Sequence, residues 1–263
     1  MPEGDTLFRT AFNLRPVLAG RTIVAATTRE LLIDADQLTD KTVTEVRSRG
    51  KHLLLHLNDG GAIHSHMGMT GSWHIYPTGA RWQKPKRQAS LVLETDQSHT
   101  IVCFTPKMIE VLSKDGLRRH AWLNQLGPDI LDDDFCVEDA VTRFAINGGM
   151  PVGVAIMDQR LVCGIGNVYK SEVLFLERIN PFASVSTLTD DQIFRVIETS
   201  RHLMKSNLLG YPRRTRFRSD GPRKWVYGRS GESCFTCGQL ITMRRQGDLA
   251  RSTYYCGNCQ DVS

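Results

Sequence analysis

Two cysteine pairs near the C-terminus, Cys234-Phe-Thr-Cys237 and Cys256-Gly-Asn-Cys259, constrain the fold more than any other stretch of the chain. Each CxxC brings two thiolates within reach of one cation, and the eighteen residues between the pairs are enough for a β-hairpin. Four protein thiolates complete a tetrahedral site and leave no open coordination position, so the spacing predicts one structural Zn2+. A segment this short cannot bury enough core to fold alone, and the metal supplies the missing folding energy. The other cysteines, Cys103, Cys136 and Cys163, are scattered, as in a chain whose thiols stay reduced.

The remaining residues divide by texture. Leu7, Phe8, Ala11, Phe12, Leu14, Val17 and Leu18 fall at roughly helical spacing up to Gly20, behind Asp5 and Thr6 as caps. From Thr22 to Phe104 seven short β-branched or alternating runs follow, at 22–27, 42–46, 52–57, 62–66, 73–76, 90–94 and 100–104. Turns such as Asn58-Asp59-Gly60-Gly61 separate them, which predicts a β-sandwich or barrel. After Leu126-Gly127-Pro128 the pattern becomes helical: Asp132-Asp133-Asp134 would supply an acidic first turn to a helix reaching Ile146. Further helices are expected at 152–162, 167–177 and 190–208, and short strands carry the cysteines. The fold class is therefore α+β multidomain, with boundaries at 1–125, 126–225 and 226–263. No apolar run approaches the ~20 residues of a membrane helix and no basic-then-apolar leader precedes residue 20, so a cytoplasmic monomer is expected.

Charge narrows the class of partner. Residues 201–229 hold nine Lys or Arg against the single Asp220, residues 230–263 are balanced, and the net +5 leaves residues 1–200 at −3. Positive charge gathered in one segment suits a polyanion better than it suits general solubility.

The N-terminus carries the chemistry. A small second residue permits removal of Met1, which would leave Pro2 with a free secondary amine beside Glu3. An α-amino group titrates near ~8, well below lysine, so a useful fraction is neutral and nucleophilic. Attack on a sugar carbon gives an iminium, an electron sink for the next bond cleavage, with Glu3 able to move protons. Elsewhere single residues admit two readings. Lys51 in Arg49-Gly50-Lys51 is a phosphate ligand or a solvated turn lysine. Asn167, after Gly164-Ile165-Gly166, holds a phosphate or caps a helix. Met69 in Gly68-Met69-Thr70 is core or a wedge for a base stack. His64 and His66 alternate on a strand with no Cys or carboxylate at ligand spacing, which speaks against a metal there.

Taken in order, Pro2-Glu3-Gly4, Arg49-Gly50-Lys51, His66-Met-Gly-Met69-Thr-Gly71, Leu126-Gly-Pro128, Asp158-Gln159, Gly164-Ile-Gly-Asn167-Val-Tyr169, Val226-Tyr-Gly-Arg229 and Arg251-Ser-Thr-Tyr-Tyr-Cys256 resemble the formamidopyrimidine-DNA glycosylase/endonuclease VIII family. The resemblance runs from residue 2 to about 260. It implies an N-terminal β-sandwich with an N-terminal helix, a helix-two-turn-helix domain and a C-terminal zinc-finger β-hairpin. It further implies a bifunctional DNA glycosylase/AP lyase of base excision repair acting on damaged double-stranded DNA. By position Pro2 is the nucleophile on C1′, Glu3 the general acid/base and Lys51, Asn167 and Arg251 the phosphate grip. Met69 fills the gap left by the extruded base, and Cys234, Cys237, Cys256 and Cys259 hold the zinc.

The departures matter as well. Thr6 stands where the family commonly has a second glutamate, and Phe104-Thr-Pro-Lys-Met-Ile-Glu110 lacks the Arg-x-Phe insertion of the oxidised-purine branch. Gly4, this loop and the short stretch from Leu209 to Val226 lean toward the endonuclease VIII branch, whose usual substrates are oxidised pyrimidines and abasic sites. Three other readings stay open: a non-catalytic damaged-DNA-binding protein, an AP lyase without glycosylase activity, and an oxidised-purine glycosylase.

Overall fold

Leu7, Ala11, Leu14 and Leu18 recur at intervals of three and four, and these side chains form the buried face of helix α1 (Gly4–Leu18). The computed structural model describes residues 2–209 and 212–261. The fate of Met1, and part of the stretch from Leu209 to Val226, lie outside the described residues. Asp5 and Thr6 do not cap α1. Asp5 is buried, Thr6 Oγ1 donates to its Oδ1 at 3.3 Å, and the N-cap is Glu3, whose carbonyl accepts the amides of Thr6 and Leu7. A carboxylate in this first turn is favoured by the positive end of the helix.

The seven expected strands are present as β1 (Arg21–Thr28), β2 (Thr42–Arg49), β3 (His52–Leu57), β4 (Ala62–His66), β5 (Ser72–Pro77), β6 (Ala89–Thr95) and β7 (His99–Phe104). An eighth, β8 (Met108–Leu112), was not legible, because every residue in it is half-buried and no two-residue alternation marks it. All pairings are antiparallel, in the order β5-β7-β6-β1-β2-β3-β4-β8. β1 is the corner: Arg21 and Thr22 pair with β2, and from Ile23 onward the strand pairs with β6, with a bulge between Ile23 and Ala25.

Laid flat, six strand spacings would put β5 roughly 29 Å from β4. Instead Trp73 Nε1 on β5 donates to Ser65 Oγ on β4 at 3.1 Å, so the sheet folds over into a sandwich. Leu53, Leu55 and Ile63 of one layer meet Leu91, Leu93, Ile101 and Cys103 of the other in one core. Two short helices, α2 (Lys114–Arg118) and α3 (Ala121–Gln125), follow β8.

The chain divides into two compact units, Met1–Asn124 and Gln125–Ser263. The second contains α4 (Val137–Ile146), α5 (Val152–Ala155), α6 (Asn167–Leu176), α7 (Asp190–Lys205) and the hairpin β9 (Ile241–Gln246) to β10 (Arg251–Cys256). Asp132-Asp133-Asp134 lies ahead of α4 rather than in its first turn, which carries Glu138 and Asp139. The helix expected over 152–162 stops after one turn. Gln159 explains why: its Nε2 donates to the carbonyls of Met157 and Ile165 while its Oε1 accepts the Gly164 amide, bracing an irregular connector. Gly164 has φ +109° there, and an added Cβ would lie 3.2 Å from Ile130 Cγ2. Of the four clustered cysteines only Cys256 lies on a strand; Cys237 and Cys259 occupy turns and Cys234 directly precedes one.

α6 is buried along nearly its whole length, so its polar residues bind the rest of the unit. The Glu172 carboxylate accepts the amides of Trp225, Val226 and Tyr227 and the hydroxyl of Thr215, and this ties the basic segment and the start of the cysteine region to the helix. Among the described residues no helix is long and apolar enough to cross a membrane.

Candidate active site and metal centre

Helix α1 lies antiparallel to β2. Gly20 donates its amide to Val43 O at 2.8 Å and Arg15 Nε donates to Val46 O at 2.9 Å. From Arg15 back to Gly4 the helix spans roughly 17 Å, and from Val46 to Gly50 the strand spans roughly 13 Å. Pro2 and Glu3 therefore lie at the same end of the unit as the turn Gly50-Lys51, where Gly50 has φ +56°. His52 pairs with His66 across β3 and β4, so the following turn with Met69 is at this end too. Four residues from three separate stretches, Pro2 with Glu3, Lys51 and Met69, are brought to one end of the first unit.

Glu3 is buried, and its side chain makes no cap bond to α1. Met69 is 71% exposed, which removes the core reading. Gly68 (φ +64°) holds its turn, and a Cβ there would come within 2.7 Å of Lys107 Cβ. Lys51 stands at the tip of the β2–β3 hairpin, between the paired Arg49 and His52.

Beneath these turns runs a row of side chains that sequence spacing did not reveal. His52 Nδ1 meets His64 Nε2 at 2.8 Å, His64 Nδ1 meets Glu110 Oε1 at 2.9 Å, and His120 Nε2 meets the same oxygen at 2.8 Å. His66 packs edge-on against His52, and its Nδ1 accepts the Gly68 amide at 3.2 Å. The expectation that no carboxylate lies near His64 is thus corrected, since β4–β8 pairing sets Glu110 opposite it. Burial, then the neighbouring imidazoles, pull His52 down to about 3; burial and Lys107 pull His66 down to about 4. His64 is also lowered by burial, against the pull of Glu110.

These shifts have a testable sign. As pH falls below ~6.5 the unfolded chain takes up protons that the folded histidines refuse, so stability present above that value is lost on acidification. For His52 alone the loss between pH 7 and pH 5 is about 2 kcal/mol. Urea denaturation at the two pH values should show a smaller difference in a His52→Leu variant than in the parent; equal differences would refute the assignment.

In the second unit α6 runs beside β10. Asn167 Nδ2 donates to Ser252 Oγ at 3.0 Å, Lys170 Nζ donates to Ser252 O and Thr253 Oγ1, and Ser171 Oγ accepts the Tyr254 amide. Asn167 and Arg251, 84 positions apart, each begin one of these elements and so stand together. The N-cap of α6 is Gly166, so the amide of Asn167 is not spent on capping. Asn167 Oδ1 and Arg251 Nε are buried and make no hydrogen bond among the described residues. With the amide turned over, Asn167 would present N–H donors at that point while Ser252 donates to Oδ1, and beside Arg251 such donors suit an anion.

The four cysteines converge as their spacing predicts. Cys234 and Cys259 sulfurs are 3.8 Å apart, Cys237 and Cys256 sulfurs 3.4 Å, and all four lie within 4.8 Å of one another. A tetrahedron with metal–sulfur bonds near 2.3 Å has edges of about 3.8 Å, so the cluster fits a four-thiolate cation without rearrangement. The Gln239 amide holds the Cys237 thiol down to about 7, favouring its thiolate.

Comparison with known sequences accords with this geometry. The profile of the formamidopyrimidine-DNA glycosylase N-terminal domain matches residues 1–109, and that of the formamidopyrimidine-DNA glycosylase H2TH domain matches residues 126–214. A probable endonuclease 8 2 of Streptomyces coelicolor is 36% identical over 263 residues, covering 99% of this chain and 94% of its own. The chain belongs to the formamidopyrimidine-DNA glycosylase/endonuclease VIII family. Another member, the DNA-(apurinic or apyrimidinic site) lyase Nei2 of Mycolicibacterium smegmatis, is 37% identical over the full length of both chains. Among solved family structures, the MutM (Fpg) protein of Thermus thermophilus superposes with a TM-score of 0.81 at 26% identity, covering 99% of each chain. The sandwich, the H2TH helices and the cysteine hairpin described above are the family's architecture.

Proposed function

We propose that this DNA glycosylase/AP lyase of base excision repair acts on oxidised pyrimidines and abasic sites in double-stranded DNA, through a Schiff base on Pro2. The observation that carries the reading is the shared end of the first unit at which an N-terminal proline, a buried Glu3 and the Lys51 turn stand together. Pro2 attacks C1′ and the damaged base departs with a proton managed by Glu3. The resulting iminium acidifies the 2′ hydrogens. Loss of one expels the 3′ phosphate, and a second elimination expels the 5′ phosphate, leaving a one-nucleotide gap.

The nucleotide must leave the stack for this chemistry, at a cost of a few kcal/mol that is smaller for a damaged pair. Met69 occupies the space it vacates, and Lys51, Asn167 and Arg251 hold the backbone phosphates, which give affinity with little sequence preference. The cysteines hold one structural zinc that keeps Arg251 in place. Residues 1–125 serve as the catalytic sandwich, 126–225 as the helix-two-turn-helix domain and 226–263 as the zinc finger of a cytoplasmic monomer that joins the nucleoid when bound.

Borohydride trapping on a duplex with one abasic site, followed by mass analysis of the N-terminus, tests the reading. A covalent adduct on Pro2 is expected. A protein that has lost Met1 and binds the duplex but gives no adduct would be a damage sensor, the reading that Thr6 favours.

A further inference from the structure

The histidine row takes no part in the steps above, although it lies at the end of the unit that carries Lys51 and Met69. Its hydrogen atoms are fixed by their partners. His64 Nδ1 donates to the Glu110 carboxylate, so in the neutral ring Nε2 accepts, His52 Nδ1 donates to it, and His52 Nε2 keeps a lone pair. His120 Nδ1 accepts the Leu123 amide at 3.2 Å, which puts its proton on Nε2, pointing at Glu110. That proton also rules out the obvious alternative. His64, Glu110 and His120 converge closely enough for a cation, but His120 has no lone pair to give it.

A carboxylate orienting one imidazole, which orients a second, repeats the logic by which proton-transfer groups are aligned in hydrolases. We infer that His52, His64 and Glu110 form a proton relay between the Lys51 end of the first unit and solvent, used in the eliminations. The inference rests on the Schiff-base reading. A proton arriving at His52 Nε2 forms an N–H bond there as the Nδ1–H bond breaks toward His64 Nε2. The His64 Nδ1–H bond then breaks toward Glu110 Oε1, and Glu110, whose side chain is 36% exposed, releases the proton to water. No electrons change hands. Both rings end in the opposite tautomer with their mutual hydrogen bond intact, and a proton returning from Glu110 resets the row.

The surroundings favour passage over storage. Burial, then the charges of His64, His66, His120 and Lys51, disfavours a charge on His52, and burial, then Lys107, disfavours one on His66; burial also lowers His64. Glu110 is the more exposed end of its ion pairs, 36% against 14% for His120 and 0% for His64, and its two imidazole partners hold its carboxyl below the usual range against the opposing effect of burial.

Glu110→Gln separates relay from scaffold. The amide keeps an oxygen that accepts from both imidazoles but does not take up a proton near neutral pH. Single-turnover nicking of an abasic duplex, followed from pH 5.5 to 8.5 in H2O and D2O, should be at least ten-fold slower in Glu110→Gln. Duplex affinity and trapping at Pro2 should be unchanged, and added imidazole should restore part of the rate. His64→Phe, if it melts as the parent does, should show the same loss. Parental rate and pH profile in Glu110→Gln overturns the relay. So does a second zinc per chain that disappears in this variant, since it would make the cluster a metal site. Absence of the Pro2 adduct in the parent would instead bring down the Schiff-base reading.

Discussion

A Glu3→Gln protein is expected to release a damaged base about 10²–10⁴-fold more slowly, the usual worth of a positioned acid/base, while still forming a Schiff base with a preformed abasic site. The two substrates differ in one bond. An abasic sugar has already lost its base and offers an aldehyde, so nucleophilic attack by Pro2 needs no proton on a leaving nitrogen. Glu3 is suited to the earlier step because it adjoins Pro2 in the chain, is buried at the N-cap of α1 and does not use its carboxylate to cap that helix. Single-turnover base release and borohydride trapping, run on the same preparation, measure the two steps. Equal slowing of both would move Glu3 to a step they share, such as deprotonation of the Pro2 ammonium.

Removing the proposed zinc should have the second large effect, confined to the second unit. Among the described residues the apolar cluster around the cysteines has only Phe175, Val226, Ile241 and the buried Cys234 and Cys256, with Trp225, Tyr254 and Cys259 partly buried against it. β9 is exposed along most of its length. Such a cluster cannot repay the backbone entropy of the β9–β10 hairpin, whereas structural zinc binding is worth about 10–16 kcal/mol in small fingers. Chelation, or Cys256→Ser, should abolish amide protection in β9 and β10 and free Arg251 from its place beside Asn167. Loss of that phosphate contact, at about 1–3 kcal/mol, weakens duplex binding by up to roughly 100-fold. Hydrogen exchange with and without chelator decides the point: protection that survives in β10 with less than one metal per chain would refute the zinc assignment, while the sandwich should be unchanged in either case.

Much of this was legible because the signals are local. The three- and four-residue spacing of Leu7, Ala11, Leu14 and Leu18 marks α1, alternation and turn residues mark β1 to β7, and the two CxxC pairs encode a four-sulfur cluster in their spacing. Pro2 is proposed from the sequence without any fold, since only a terminal proline can carry a free secondary amine. Where local rules conflicted, the reading failed. The apolar run at 152–162 looks helical, but a side chain inside it, Gln159, binds the backbone of the connector and ends the helix after one turn.

What only the tertiary structure decided are the groups joined by pairing and burial at long range. Glu110 reaches His64, 46 positions away, because β8 adds to the edge of β4, and the half-buried pattern of β8 carries no periodic mark. Glu172 collects three amides more than fifty positions away because α6 is buried on all sides and a carboxylate there must find donors. Asn167 and Arg251 are brought side by side only through the bonds between α6 and β10. Residue type and spacing fix what a side chain can do within a turn or two of backbone; which distant partner it does it with depends on the register of strands and the packing of helices, whose energies are sums over the whole core.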